Sequence, residues 1–535
     1  MLFYTKVDQK FGPPSDKTMF SELRSNRTLT PIIALVFTFI MPGCPVQLSH
    51  QVPKNQVLLP NSAQSQLLQP IDCDTLIIGG GMGGVYTAFQ LGKHGTQSVC
   101  LFELEPRLGG RILDVSFDGT EKSPRIGVGA RRILNGQVLF ALTKELGIDH
   151  NSAAYRDDLI FARGQHAWSK DKLAKLAYPG IAYLDKTPKD ESEVEDALYE
   201  RIQPGTNLRL YPDFPSFVRA NIGAEGYHYL VDVSRFRSDF QYPIDTKSYL
   251  DWLKEELIFD SAKPVYPVGG MSEFIKRMAL SATAKGVRIF TSQPIKTLSR
   301  NKSGYEAITP SYQVTARKVI IAVNAANLKL IRGDVADSIV SSPQYRQLFG
   351  VPVVTVTQWW SKPWWIKAYA NKDVRRIWTT DHCLNFMEIP ADKYGSQQLV
   401  TRTVYSDEMA CVALWQQLYK ISTKAVEAEI DRELHEIFPG VGIPHPLKTF
   451  VKVWPDAWYW LKAGSPFTNC DIANWATKPI PGDSVYLVGE SYNPQRSTWS
   501  DGAVNSSIAT LNAGFGFNLP HAAPGSVCRN TPGRQ

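Results

Sequence analysis

The sequence predicts an α/β chain built on a Rossmann-type dinucleotide-binding domain, with at least one further domain beside it. Three observations carry that prediction. A short apolar run, Asp74-Thr75-Leu76-Ile77-Ile78, passes directly into Gly79-Gly80-Gly81-Met82-Gly83-Gly84 and then into the helical stretch Val85–Leu91. A second apolar strand, Val99–Phe102, ends in Glu103, nineteen residues after Gly84. The chain has 535 residues, too many for one compact core, so two or three domains are expected.

Each part of the motif has a physical task. Gly79 permits a tight turn, Gly81 lets backbone N–H groups approach a pyrophosphate, and Gly83 and Gly84 open the helix, with Gly84 letting it pack closely on the strand. The helix N-terminus adds the positive end of its dipole. Glu103 is placed to accept hydrogen bonds from ribose hydroxyls, which points to a dinucleotide with a free ribose.

Composition narrows the class. With 43 % hydrophobic and 20 % charged residues and a net charge of +7, the chain reads as ordinary globular protein without a basic block, which argues against a nucleic-acid partner. The seven cysteines are scattered, with no metal-type array; Cys100 reads as a buried strand residue, and the others as free thiols or one or two disulfides. The apolar run Ile32–Met41 follows Arg24 and Arg27 and is too short to span a bilayer, so residues 19–44 are expected to be an export signal within a signal segment 1–44, with 45–70 a linker.

Arg107-Leu108-Gly109-Gly110-Arg111 follows Glu103 closely and resembles the second glycine motif of the flavin amine oxidases. Pro267-Val268-Gly269-Gly270-Met271, the closing strand Asp483–Glu490 and the helix start Trp499-Ser500-Asp501-Gly502-Ala503-Val504 resemble further segments of that superfamily. The resemblance implies noncovalently held FAD, with Gly110 close to the flavin, Arg111 facing the pyrophosphate, Glu490 near the ribityl and phosphate region, and Gly502 and Ala503 at a helix N-terminus aimed at the ring. Asp501 is read as a cap of that helix.

The FAD domain is then discontinuous: 71–135, 259–330 and 475–520, with a helical and substrate-binding region at 136–258, an inserted α+β substrate-binding domain at 331–474 and a tail at 521–535. Arg317–Asn324 reads as another strand of the FAD domain, and Val426–Phe438 has helical spacing.

Gly129-Ala130-Arg131-Arg132 resembles the Gly-x-x-Arg segment of the secreted L-amino-acid oxidases. The resemblance puts Gly129 and Ala130 at the cofactor and makes Arg132 the clamp on the substrate carboxylate, a task suited to a planar guanidinium fork. Trp499 resembles a pocket tryptophan of the same enzymes, and Tyr459 or Trp460 is expected to supply an opposing wall. Three departures stand out: Glu105 replaces a common arginine, Gly127 replaces an acid, and Thr355 falls where many members hold a water with lysine.

The expected reaction is oxidation of an L-amino acid to the imine and 2-oxo acid, with ammonia and hydrogen peroxide released and molecular oxygen as acceptor. An amine or polyamine oxidase or dehydrogenase, and an exported flavoprotein without turnover, remain alternatives, and a homo-oligomer is possible.

Overall fold

A computed structural model describes residues 68–520, apart from 97, 119–124, 135–136, 153–158, 182–197, 203–207, 259–263, 371–376, 390–398 and 494–499. The expected signal segment, most of the linker, Trp499 and the tail 521–535 lie outside the described residues.

The first sheet is centred on Gln69–Ile78, which runs parallel to Val99–Phe102 on one side and to Tyr312–Ile321 on the other; Arg288–Phe290 extends it beyond Val99–Phe102. The first strand is longer than its apolar run and starts inside the stretch read as linker, because Gln69–Cys73 pair with Tyr312–Ala316. On its other edge Tyr312–Ile321 serves two further partners. Ala316 and the residues before it pair antiparallel with Gly304–Ile308, itself in a hairpin with Thr297–Asn301, while Val319–Ile321 pair in parallel with Val485–Leu487. One sheet is thus assembled from three distant stretches.

Leu76, Ile77, Val319, Ile320 and Ile321 are fully buried. Such unbroken apolar runs suit parallel strands covered on both faces. One face packs on helices Met82–Lys93, Ser272–Ala284 and Ser500–Phe515, the other on residues from 325–348 and 459–492. The strand expected to reach Asn324 stops at Ile321, and Asn324 instead caps the short helix Ala325–Leu328, its side chain accepting from Asn327 N–H at 2.9 Å.

The second sheet runs Lys448–Leu461, Leu348–Trp359, Val400–Ser406, Phe386–Glu388, Ile377–Thr380, Leu159–Ala162, Gln165–Ala167. Its last two strands come from the stretch 136–258 and the rest from 331–474, so the two inserts build one layer and not two. Pro264–Pro267, expected in the second FAD segment, pairs with Ile133–Leu134 and His150–Ser152 in a separate small sheet. Helices Phe214–Val233 and Thr246–Ile258 stand in the stretch read as helical. Thr423–Ile437 matches the helical spacing further on; it buries Val426, Ile430, Leu434 and Ile437, and Ser422 caps it.

Two disulfides join described residues, Cys73 to Cys100 and Cys383 to Cys411. Cys100 is buried in its strand as expected, but it is bridged across to the neighbouring strand and not a free thiol. No helix among the described residues is long and apolar enough to cross a membrane.

Candidate active site

The glycine turn has the geometry its residues require. Gly79 adopts φ +104°, where a side chain would meet the Ala322 carbonyl, and a Cβ on Gly84 would lie 1.9 Å from the Gly79 carbonyl oxygen. Gly81 differs: a Cβ there would meet nothing within 4 Å. It is also the residue preceding helix Met82–Lys93, with no side-chain cap on that helix. Gly83 packs on the helix Ser500–Phe515, where Ser507 Oγ donates to its carbonyl at 3.1 Å. Open space, uncapped helix amides and glycine backbone together make an anion cradle.

Glu103 closes this cradle from the next strand. Its carboxylate accepts from Gly80 N–H at 2.6 Å and Glu105 N–H at 2.7 Å. Burial pushes this carboxyl above its ordinary range, and the N–H groups of Glu105 and Gly80 partly offset the shift. Glu105, the departure noted in the sequence, forms an ion pair with Arg107 at 2.9 Å.

Arg107 holds the second glycine loop, a role not foreseen from the sequence. Its guanidinium donates to the carbonyls of Gly110 at 2.8 Å, Ile112 at 3.0 Å and Leu108 at 3.3 Å. Gly110, at φ +53°, is thereby set against Gly81: a Cβ on it would lie 3.5 Å from Gly81 Cα. Arg111 reaches further, donating to Glu490 Oε1 and to the Ala457 carbonyl, both at 2.7 Å.

The Arg111–Glu490 pair ties the first FAD segment to the last. Glu490 is fully buried and raised by desolvation, which the Arg111 charge and hydrogen bond oppose. Its Oε2 has no hydrogen-bond partner among the described residues. An orphaned buried acceptor, a free helix N-terminus and a strand-end acid are together the donor and acceptor set that a flavin dinucleotide requires.

The segment Gly127–Arg132 lies beside this cradle. Ala130 N–H donates to the Arg111 carbonyl at 3.3 Å, and a Cβ on Gly129 would lie 1.9 Å from that oxygen. The Val128 carbonyl accepts from Thr355 Oγ1 at 3.0 Å and from Trp454 Nε1 at 2.9 Å. Thr355, at the position where many relatives carry lysine, is therefore a buried anchor of this segment. Lys452 stands opposite it on the next strand, with its ammonium 4.5 Å from the Trp454 ring centre.

Arg131 and Arg132 lead into a buried ionic group that the sequence did not reveal. Arg131 makes two contacts of 2.6 Å with the two oxygens of Glu388, and Arg402 donates to Glu388 Oε2 at 2.6 Å. Tyr266 hydroxyl donates to Glu388 Oε1 at 3.1 Å. Burial alone would raise the Glu388 carboxyl, but Arg131, Arg402 and Arg132 outweigh it and hold it at about 2. Arg132 thus shares one electrostatic neighbourhood with Arg131, Arg402 and Tyr405. The detectable signal was a charged residue inside a β-type run, as in Phe386-Met387-Glu388 and Val400-Thr401-Arg402-Thr403-Val404.

The two alternative wall residues lie on opposite faces of their strand. Tyr459 and Trp460 alternate on one strand and pack in different clusters. Tyr459 hydroxyl accepts from Ala326 N–H at 2.9 Å, and its ring shares the surroundings of Arg111 and Glu490. Trp460 packs against Tyr249 and Trp252, each with ring centres 5.2 Å away. Trp499 is outside the described residues. Gly502 and Ala503 are buried in the first turns of Ser500–Phe515, and the Ala503 carbonyl faces Gly83. Asp501 reaches a second helix besides its own: Oδ1 accepts from Leu139 N–H at 3.0 Å, in the first turn of Val138–Leu146, and Oδ2 accepts from Asn505 Nδ2 at 3.2 Å.

A surface cleft of about 450 Å³ between Phe89, Lys93, Arg277 and Lys285 shares no residue with this site.

Residues 82–510 match the profile of the flavin containing amine oxidoreductases. Two solved structures are similar in fold. A cyclohexylamine oxidase from Brevibacterium oxydans matches with a TM-score of 0.65 at 16 % identity, over 83 % of this chain and 99 % of that one. A putrescine oxidase double mutant, redesigned in its cofactor binding, matches with a TM-score of 0.59 at 14 % identity over the same shares. No curated protein matches significantly by sequence. The family match spans most of the chain and includes Gly83, Gly84 and Glu103, the Arg111–Glu490 pair and the Gly127–Arg132 segment, and the chain belongs to the flavin-containing amine oxidoreductase family.

Proposed function

We propose that this flavin amine oxidoreductase acts on L-amino acids. The observation that carries the reading is the placement of the Gly129–Arg132 segment. Its first two residues lie against the Arg111 carbonyl at the FAD cradle, and its last two enter the buried ionic group around Glu388. A buried guanidinium beside the reacting carbon would give an α-carboxylate its counter-ion, which an amine without a carboxylate does not need.

In this reading Gly81, Gly83 and Gly84 approach the pyrophosphate, Glu103 accepts from the ribose, and Gly110, Arg111, Glu490, Gly502 and Ala503 line the remainder of the FAD site. Bound FAD supplies a two-electron acceptor for the hydride that leaves the substrate α-carbon. Arg132 fixes the α-carboxylate with parallel charge-assisted hydrogen bonds, which sets the position of the α-C–H bond. The amine reacts in its neutral form, and burial among apolar side chains favours that form. The substrate becomes an imino acid, and water hydrolyses it to the 2-oxo acid and ammonia. Molecular oxygen takes up the two electrons with two protons as hydrogen peroxide.

In this reading FAD is held noncovalently, which is supported by the disulfide bonding of each cysteine among the described residues. The same disulfides support export to an oxidising compartment.

Anaerobic mixing of FAD-loaded protein with L-amino acids and with their decarboxylated amines tests the reading. Bleaching of the flavin band by the amino acids, reversed by air with peroxide release, is expected. Bleaching by the amines alone refutes it. Arg132→Met is expected to raise KM for amino acids about a hundredfold.

A further inference from the structure

Two buried guanidinium groups converge on the one buried carboxylate of Glu388. Arg131, Arg402 and Glu388 have side chains only 7 %, 8 % and 7 % exposed. Both oxygens of Glu388 are fully engaged: Oε1 by Arg131 and Tyr266, Oε2 by Arg402 and Arg131. Arg402 Nε nevertheless has no hydrogen-bond partner among the described residues. Its neighbours are the rings of Tyr405 and Phe386, 4.8 and 5.1 Å from the guanidinium carbon, which hold the plane in place without accepting a hydrogen bond in it.

Asp114 also acts on Arg131; its Oδ2 accepts from Ser272 N–H at 2.7 Å, and burial raises its carboxyl against the pull of Arg131. Two guanidinium groups share the Glu388 carboxylate, and the buried Arg402 Nε is left without an acceptor among the described residues. A buried cation in that condition calls for an anion.

If Arg132 takes the α-carboxylate, the surplus on Arg131 and Arg402 is left for a second one. We infer that Arg131 and Arg402, oriented by Glu388, form a subsite for a side-chain carboxylate, and that the preferred substrates are acidic L-amino acids of the aspartate and glutamate class. The inference rests on the amino-acid reading above. The reaction is unchanged; only the group at the far end of the substrate is named.

The test compares L-glutamate with L-glutamine, which differ in side-chain charge and hardly in shape, by the rate of anaerobic flavin bleaching and by kcat/KM. L-glutamate is expected to be preferred by a hundredfold or more, since a neutral amide leaves the buried guanidinium surplus uncompensated. Arg402→Met is expected to collapse the glutamate-to-glutamine ratio. Arg402→Lys, which keeps the charge and loses the planar fork, is expected to lower it by a smaller factor and serves if the methionine variant does not fold.

Bleaching by L-glutamine or L-leucine as fast as by L-glutamate overturns this subsite and leaves the amino-acid reading standing. Bleaching by decarboxylated amines alone overturns both.

Discussion

Glu388 and Arg402 stand opposite each other on adjacent antiparallel strands, 2.6 Å apart at Oε2 and with both side chains out of water. Arg131 reaches the same carboxylate from a loop more than 250 positions away in sequence. Removing the carboxylate leaves two buried cations facing each other. Glu388→Gln is therefore expected to lower unfolding stability by about 3–5 kcal/mol in urea titrations. A loss under about 1 kcal/mol would place the group in solvent contact. The carboxyl is held at about 2 against an ordinary 4.5, so its contribution is complete above 4.5 and disappears as pH falls through about 2.

Gly81 and Gly84 allow a paired experiment on the cradle. A Cβ at Gly81 meets no atom within 4 Å, whereas one at Gly84 lies 1.9 Å from the Gly79 carbonyl oxygen. Gly81→Val is expected to leave the apoprotein folded, with stability within about 1 kcal/mol of wild type, and to prevent FAD retention as read from the flavin absorbance. Gly84→Ala is expected to lower apoprotein stability by about 2 kcal/mol or more, because helix and turn must move apart. Full FAD loading of Gly81→Val would show that the pyrophosphate lies elsewhere.

The fully buried Asp239 and Asp407 predict a pH dependence of opposite sign to that of Glu388. Burial and the charge of Asp407 raise the Asp239 carboxyl to about 8, and burial raises that of Asp407 to about 7. The folded state keeps these protons after the unfolded chain has lost them at 3.8, so each acid makes stability fall as pH rises from about 4 towards about 8. Asp239→Asn, which retains an acceptor for Tyr249, is expected to flatten that fall in thermal melts across the same window. A melting profile with unchanged slope would assign the dependence to other groups.

The Cys383–Cys411 disulfide closes the loop that contains both Glu388 and Arg402. Replacing both cysteines with alanine frees a stretch 28 residues long and is expected to cost about 3 kcal/mol of stability. Because the loop carries the ionic group, KM for the amino-acid substrate is expected to rise more than kcat falls. Equal effects on both parameters would separate the bridge from the binding site.

The sequence by itself determined the nucleotide half of this protein. Strand, glycine turn, helix and strand-end acid are read over 30 consecutive residues, Asp74–Glu103, because a pyrophosphate is bound by backbone N–H groups and a helix end, and both are dictated locally by where glycine stands. Tertiary structure decided the rest. Asp501 turned out to reach a neighbouring helix as well as its own, Tyr459 and Trp460 were sent to opposite faces by strand alternation, and Arg131 met Glu388 and Arg402 only when the loop ahead of Ile133–Leu134 came against the second sheet. A charge inside a strand has no assigned partner until register is set. Glu388 and Arg402 pair across 14 residues, but the second cation, Arg131, comes from 257 positions away, which no local pattern encodes.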